Sequence, residues 1–144
     1  MNTDNVGVWL ILAFLSAFFA ALVTIFGKIG LKTIDSTVAA GVRAVIMAAT
    51  MIGIIMLLGR TSQLTQLTQR DMLFIILSGV SGALSWVFYF AALKLADASK
   101  VATIDRTSIL FIIVLSYLIL GEELSLRTVA AGMLVFLGAL ILII

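Results

Sequence analysis

Five long runs of apolar residues constrain this chain more than any other feature of its sequence. They occupy positions 8–31, 38–58, 72–95, 101–120 and 128–144. A bilayer core about 30 Å thick is crossed by roughly 20 residues of apolar helix, so each run approaches or exceeds the length of a membrane span. Because lipid offers backbone groups no water, such spans must be helical. The pattern predicts an all-α integral membrane protein with five transmembrane helices in one domain, residues 1–144.

The composition excludes several classes of function. Of the 144 residues, 63% are hydrophobic and 11% are charged, against about 45–50% and about 25% in soluble domains. The chain contains no cysteine and no histidine, which removes disulfides, thiolate metal sites and the commonest general base. We therefore expect no enzyme activity, no metal and no cofactor. The net charge is only +2 and the basic residues are scattered, so we expect no nucleic-acid partner.

The basic residues do not favour one orientation in the membrane. The loops on one face contain three of them, Arg60, Arg70 and Arg127, and the loops on the other contain four, Lys28, Lys32, Lys94 and Lys100. If Arg43 and Arg106 are counted with the second face, the ratio becomes six to three. Both arginines lie inside apolar segments, so the positive-inside rule gives little instruction. A chain without a bias can insert both ways and pair with an inverted copy of itself.

Apart from Lys28 and Lys94 near segment ends, three charged residues, Arg43, Asp105 and Arg106, lie inside the apolar segments. By helical rise, Arg43 lies roughly 10 Å and Asp105 roughly 7–8 Å from the same membrane face. Asp105 and Arg106 are about 100° apart on a helix, so Asp105 is better placed to meet Arg43 from another helix. Three interpretations remain open: an ion pair that sets helix register, a polar lining for a substrate path, or side chains that reach the interface.

Aromatic and hydroxyl side chains fall at the same depth on the third span. The stretch SWVFYF places Ser85, Trp86 and Tyr89 close to Lys94, at the face that also holds Arg43. Ser85 and Tyr89 are four residues apart and share one side of the helix. The candidate cavity or gate residues are therefore Arg43, Ser85, Trp86, Tyr89, Asp105 and Arg106. Small residues, Gly79 and Gly82 in the third span and Gly132 and Gly138 in the fifth, predict close helix packing.

The second half of the chain resembles the EamA domain of the drug/metabolite transporter superfamily. The similarity lies in the turns YFAALKLADAS and LILGEELSLR and in the glycine-spaced last helix, and the opening AALVTIFGKIGLKTIDS looks like the first helix of that domain. The resemblance implies a single five-helix repeat of a fold that usually has ten helices in two inverted repeats around a central cavity. It therefore implies that this chain works as an antiparallel homodimer equivalent to a ten-helix transporter.

Two departures from that family pattern stand out. Family members commonly carry a proline early in the fourth helix; this chain contains none, and Thr103 is the expected counterpart. The related four-helix multidrug exporters use a glutamate in the first helix, whereas residues 8–26 contain no acid. Proton-coupled export of cations by that chemistry is therefore not supported. Asp105 is the one acid well inside an apolar span, which makes it the candidate for proton coupling or for an amine contact.

The resulting prediction is a secondary transporter or exporter of small polar metabolites that works by alternating access. Its expected partners are a second copy of the chain, a small-molecule substrate and the lipid bilayer. We expect a multi-pass protein of a prokaryotic inner membrane. Two alternatives remain: a flippase for a lipid carrier, and a membrane subunit that stabilises a partner without transporting anything.

Overall fold

The computed structural model describes residues 3–142, with side chains from residue 7 onward. Within that range the chain is helical, and its α-helices are α1 (Thr3–Gly30), α2 (Ser36–Leu57), α3 (Gln69–Leu95), α4 (Ala98–Asp105), α5 (Ser108–Leu115) and α6 (Leu126–Ile141). A 3₁₀ segment, Thr61–Gln66, precedes α3, and a π-helical turn, Ser116–Leu120, continues α5.

Four stretches of the described chain are long and apolar enough to cross a membrane: Gly7–Gly30, Ser36–Leu57, Gln69–Leu95 and Ala98–Leu120. This makes the chain a multi-pass membrane protein. Helix α6 has 16 described residues and is about 24 Å long at the rise of an α-helix. Residues 143 and 144 lie outside the described range, so the fifth span stays a prediction.

The contacts divide the chain into two compact units, residues 27–94 and residues 1–26 with 95–144. In the unit 27–94, lysines join the end of α3 to the α1–α2 connection. Lys28 Nζ donates to the carbonyl oxygen of Leu93 at 2.6 Å, and Lys94 Nζ donates to that of Ile34 at 3.0 Å. Cations near helix C-termini are favoured by the helix dipole. The start of α2 and the end of α3 therefore lie on the same side.

Hydrogen bonds at both ends of α2 satisfy backbone groups that the helix leaves unpaired. Asp35 caps α2 by accepting from the N–H groups of Thr37 and Val38 at 2.8 and 3.2 Å. These bonds, together with the charge of Lys94, hold the pKa of Asp35 below its ordinary value. At the other end of α2, Gly59 adopts φ +63°, and its N–H donates to the carbonyl of Met56 at 3.0 Å. Glycine is favoured at such a left-handed helix end.

The second unit is built around the packing of α5 against α6. A Cβ on Gly132 of α6 would lie 2.7 Å from Ile113 Cδ1 and 3.1 Å from Leu110 Cδ2, so a larger residue there would require these side-chain ends to shift. Ser125 caps α6, because its Oγ accepts from the N–H of Thr128 at 3.1 Å. Asp97 occupies the N-cap position of α4 without a side-chain bond to the helix.

The prediction of close packing holds for only some of the glycines that we singled out. Gly132 is tightly enclosed, as expected. The prediction is wrong for Gly79, Gly82 and Gly138 within this chain, because an added Cβ at each of them would meet no atom within 4 Å. A missing side chain permits a close approach, but it does not ensure that a neighbour fills the space.

The fourth long span, Ala98–Leu120, is interrupted between α4 and α5 although it lacks a proline. Around residues 106–110 the backbone hydrogen bonds span three residues instead of the four of an α-helix. Thr107 N–H donates to the carbonyl of Ile104 at 2.9 Å, and Leu110 N–H donates to that of Thr107 at 3.0 Å. The hydroxyl of Thr107 also donates to the carbonyl of Ile104, at 2.7 Å. The interruption lies beyond Thr103, the residue expected to replace the family proline, which sits inside α4.

Candidate functional site

A cavity of about 450 Å³ lies between α2 and α3, inside the unit 27–94. From α2 it is lined by Thr37, Ala40, Gly41, Arg43, Ala44 and Met47. From α3 it is lined by Ser78, Gly79, Gly82, Ala83, Trp86 and Val87. Small residues dominate both walls, and they leave the space between the two helices open.

The charged group of this cavity is the guanidinium of Arg43, which lies over an aromatic ring. Its central carbon is 3.6 Å from the centroid of the Trp86 ring and 6.0 Å from that of Phe90. A cation over an indole face within about 6 Å of its centroid is attracted by the ring quadrupole. Arg43 and Trp86 are both half-buried. The structure thus brings together two residues that helical rise had placed at one depth.

Two further candidates on α3 have different surroundings. The Tyr89 ring lies 5.4 Å from the Trp86 ring, edge to face, and the Trp86 ring lies 5.6 Å from that of Phe90. Phe90 is buried, with 3% of its surface exposed, so it provides a fixed support for the indole. Ser85 is exposed and does not line the cavity.

The remaining two candidates, Asp105 and Arg106, belong to the other unit. Asp105 is the last residue of α4 and Arg106 is its C-cap, and both side chains are exposed. They therefore mark the interruption of the fourth span. The pairing of Asp105 with Arg43 stays a prediction, as does a substrate-binding role for each of the six candidates.

Sequence reasoning missed most of the cavity wall. Gly41, Ala44 and Met47 follow Ala40 along α2, and Ser78 and Ala83 accompany the two glycines of α3. The available signal was the small residues of both helices, of which we interpreted only Gly79 and Gly82 in the third span, and as a packing surface. The charge of Arg43 on the same side of α2 was the sign that this surface borders a cavity.

The helices and the cavity describe a multi-pass membrane protein with an open space between two of its spans, an arrangement that suits a transporter. Comparison with known proteins agrees: the EamA-like transporter family matches residues 7–144. The chain belongs to this family and carries a single EamA repeat.

A curated relative has the same extent. The protein named "Uncharacterized transporter in cobO 3'region" from Sinorhizobium sp. is 37% identical over 134 residues, which is 93% of this chain and 95% of the relative. The two chains are therefore of similar length. No solved structure matches this chain.

Proposed function

We propose that this chain is a secondary transporter of small organic solutes, active as an antiparallel homodimer in the inner membrane of a bacterium. The observation that carries the proposal is the cavity between α2 and α3, with one guanidinium in an otherwise uncharged wall. Family membership supports a transporter role, and a curated relative of similar length comes from a bacterium.

The inverted dimer follows from the single repeat. Substrate sites in transporters with inverted repeats lie near the bilayer midplane, at the interface between repeats. One repeat supplies one wall of such a site, and a second copy of opposite orientation supplies the other. Alternating access is then a rocking of one protomer against the other. The nearly even distribution of basic residues between the loops is consistent with insertion in both orientations.

Transport is tested with the purified protein in liposomes that are loaded with a defined mixture of amino acids, sugars and organic acids. We expect at least one solute to leave faster than from protein-free liposomes, and we expect Arg43→Ala or Asp105→Asn to slow its loss. If neutralising these residues lowers only the amount of protein in the membrane and no solute moves, the chain is a stabilising subunit instead.

The inverted arrangement has its own test, because the chain lacks cysteine. Thr33→Cys and Ser62→Cys place single thiols in the loops before and after α2, on opposite faces of the membrane. With a maleimide that does not cross the membrane, we expect each thiol to be labelled in part of the population. Complete labelling of one thiol and none of the other would exclude the antiparallel dimer.

A further inference from the structure

We propose that the cavity between α2 and α3 binds an organic anion with an apolar body, such as a short aliphatic or aromatic carboxylate. The proposal rests on the proposed transport function and narrows its substrate class from small organic solutes in general. Three features of the unit 27–94 support it. The N–H donors of Arg43 are available to a ligand, the cavity wall contains no carboxylate, and the space next to the glycines of the wall is open.

The geometry of Arg43 leaves its donors available to a ligand. A guanidinium stacked on an aromatic ring uses its flat face, whereas its five N–H donors point outward in the guanidinium plane. No residue of the unit 27–94 is seen to accept a hydrogen bond from them. A carboxylate is the planar acceptor that matches such a fork with two parallel bonds.

The rest of the wall disfavours zwitterions and sugars. Among its lining residues the cavity has no carboxylate that could receive an ammonium group, and its hydroxyls are those of Thr37 and Ser78. A buried polar group without a partner loses the hydrogen bonds that it made to water. An amino acid or a sugar would therefore leave several groups unsatisfied, whereas an alkyl or aryl body would not.

The small residues give that apolar body a place to lie. A Cβ added to Gly79 or Gly82 would meet no atom within 4 Å, so the space next to these two glycines is open. Met47 lies one turn beyond Arg43 on α2, about 6 Å along the axis. The volume of about 450 Å³ is within the usual range of small-molecule pockets, roughly 300–1,000 Å³.

Binding is measured with the full chain in lipid nanodiscs, where Trp86 reports on the cavity. The chain has two tryptophans, so Trp9→Phe leaves the Trp86 ring as the sole indole. The probes are hexanoate, its neutral counterpart hexanamide, and acetate, which has the charge without the body. We expect hexanoate to change the fluorescence at the lowest concentration. Loss of a charged hydrogen bond predicts roughly ten- to hundred-fold weaker binding of hexanamide.

Variants locate the site, with calorimetry as the measurement. Arg43→Gln is expected to weaken the binding of hexanoate by the same factor. Gly79→Leu is expected to abolish this binding, because the leucine side chain would fill the open space in the cavity. Gly53→Leu is the matched control on α2, because Gly53 also has open space around it but does not line the cavity. The proposal is overturned if hexanamide binds as well as hexanoate, or if the two leucine variants behave alike.

The outcome of the binding experiment can be distinguished from the outcome of the transport experiment. If hexanoate fails to bind while a polar solute leaves the liposomes in an Arg43-dependent way, the substrate class is wrong and the transporter stands. If hexanoate binds as described while no solute crosses the membrane, the site stands and the transport function falls.

Discussion

The stacking of Arg43 on Trp86 should appear as a measurable coupling energy between the two residues. The guanidinium carbon is 3.6 Å from the ring centroid, well inside the distance at which a cation and an aromatic ring attract each other. Such contacts contribute about 0.5–1 kcal/mol when exposed and about 2 kcal/mol when desolvated. Because both side chains are half-buried, we expect a coupling of about 1–2 kcal/mol.

The measurement is a double-mutant cycle with Arg43→Met and Trp86→Leu. The methionine keeps an unbranched apolar stem and removes the charge. Removal of an arginine from a membrane span also removes an insertion cost of at most roughly 2.5–3.5 kcal/mol on translocon scales, so the single change does not report on the contact. The cycle cancels this term and isolates the interaction. Reversible unfolding in mixed micelles, with helicity followed by circular dichroism, supplies the free energies.

The chain offers a control ring on the same helix. Phe90 lies 6.0 Å from the same guanidinium carbon, at the limit of the interaction, so a cycle of Arg43→Met with Phe90→Leu should give about 0.5 kcal/mol or less. Phe90 is also the more deeply buried ring, and its single substitution should be the more damaging. Energies for Arg43 and Trp86 that add within about 0.3–0.5 kcal/mol, or equal coupling to both rings, would refute this account of the site.

The remaining predictions concern helix packing and helix ends. Gly132→Leu should destabilise the chain by about 1–3 kcal/mol, because its Cβ would lie 2.7 Å from Ile113 Cδ1, whereas Gly138→Leu should leave the unfolding energy nearly unchanged. Gly121→Ala should lower it by about 1–2 kcal/mol, since Gly121 has φ +68°, and a smaller loss in Gly121→Asn would identify the backbone as the cause. The pKa of Asp35 is depressed in the folded chain, so its negative charge stabilises the fold at pH values above the unfolded pKa of about 3.9. This stabilisation disappears as the pH falls through the pKa of the folded chain. The unfolding midpoints of the wild type and Asp35→Asn, which keeps the cap, should therefore converge on acidification.

The parts of the site that follow from helical rise and chain direction were predictable. Consecutive spans run in opposite directions, so the beginning of α2 and the end of α3 must share a face, and the bond from Lys94 to the carbonyl of Ile34 shows that they do. Depth alone then placed Arg43 beside Trp86. Depth does not define rotation about the helix axis, however, and for this reason it does not separate Ser85, which does not line the cavity, from Trp86, which does.

The parts that depend on competition between local bonds were not predictable. Thr107 interrupts the fourth span because its hydroxyl and its N–H both bond to the carbonyl of Ile104. Threonine is common in membrane helices, and in most positions its bond to an earlier carbonyl leaves the helix intact. Thr103 and Thr24 show this, with hydroxyl bonds to the carbonyls four residues earlier. The residue type therefore did not indicate which threonine accompanies a break.

The interruption explains why a segment suited to lipid carries Asp105 and Arg106 side by side. In an unbroken helix the two charges would project from the side of a continuous apolar cylinder. Here they stand at the C-terminal end of α4, where the partial negative charge of the helix dipole favours an arginine. Irregular backbone at membrane depth is tolerated only where protein covers it or water reaches it. Both side chains are exposed in the single chain, so they are open to cover from a second copy. This requirement supports the proposed second copy independently of the basic residues in the loops. If thiol labelling shows a single orientation, the cover must come from a parallel copy, another protein or a water-filled path.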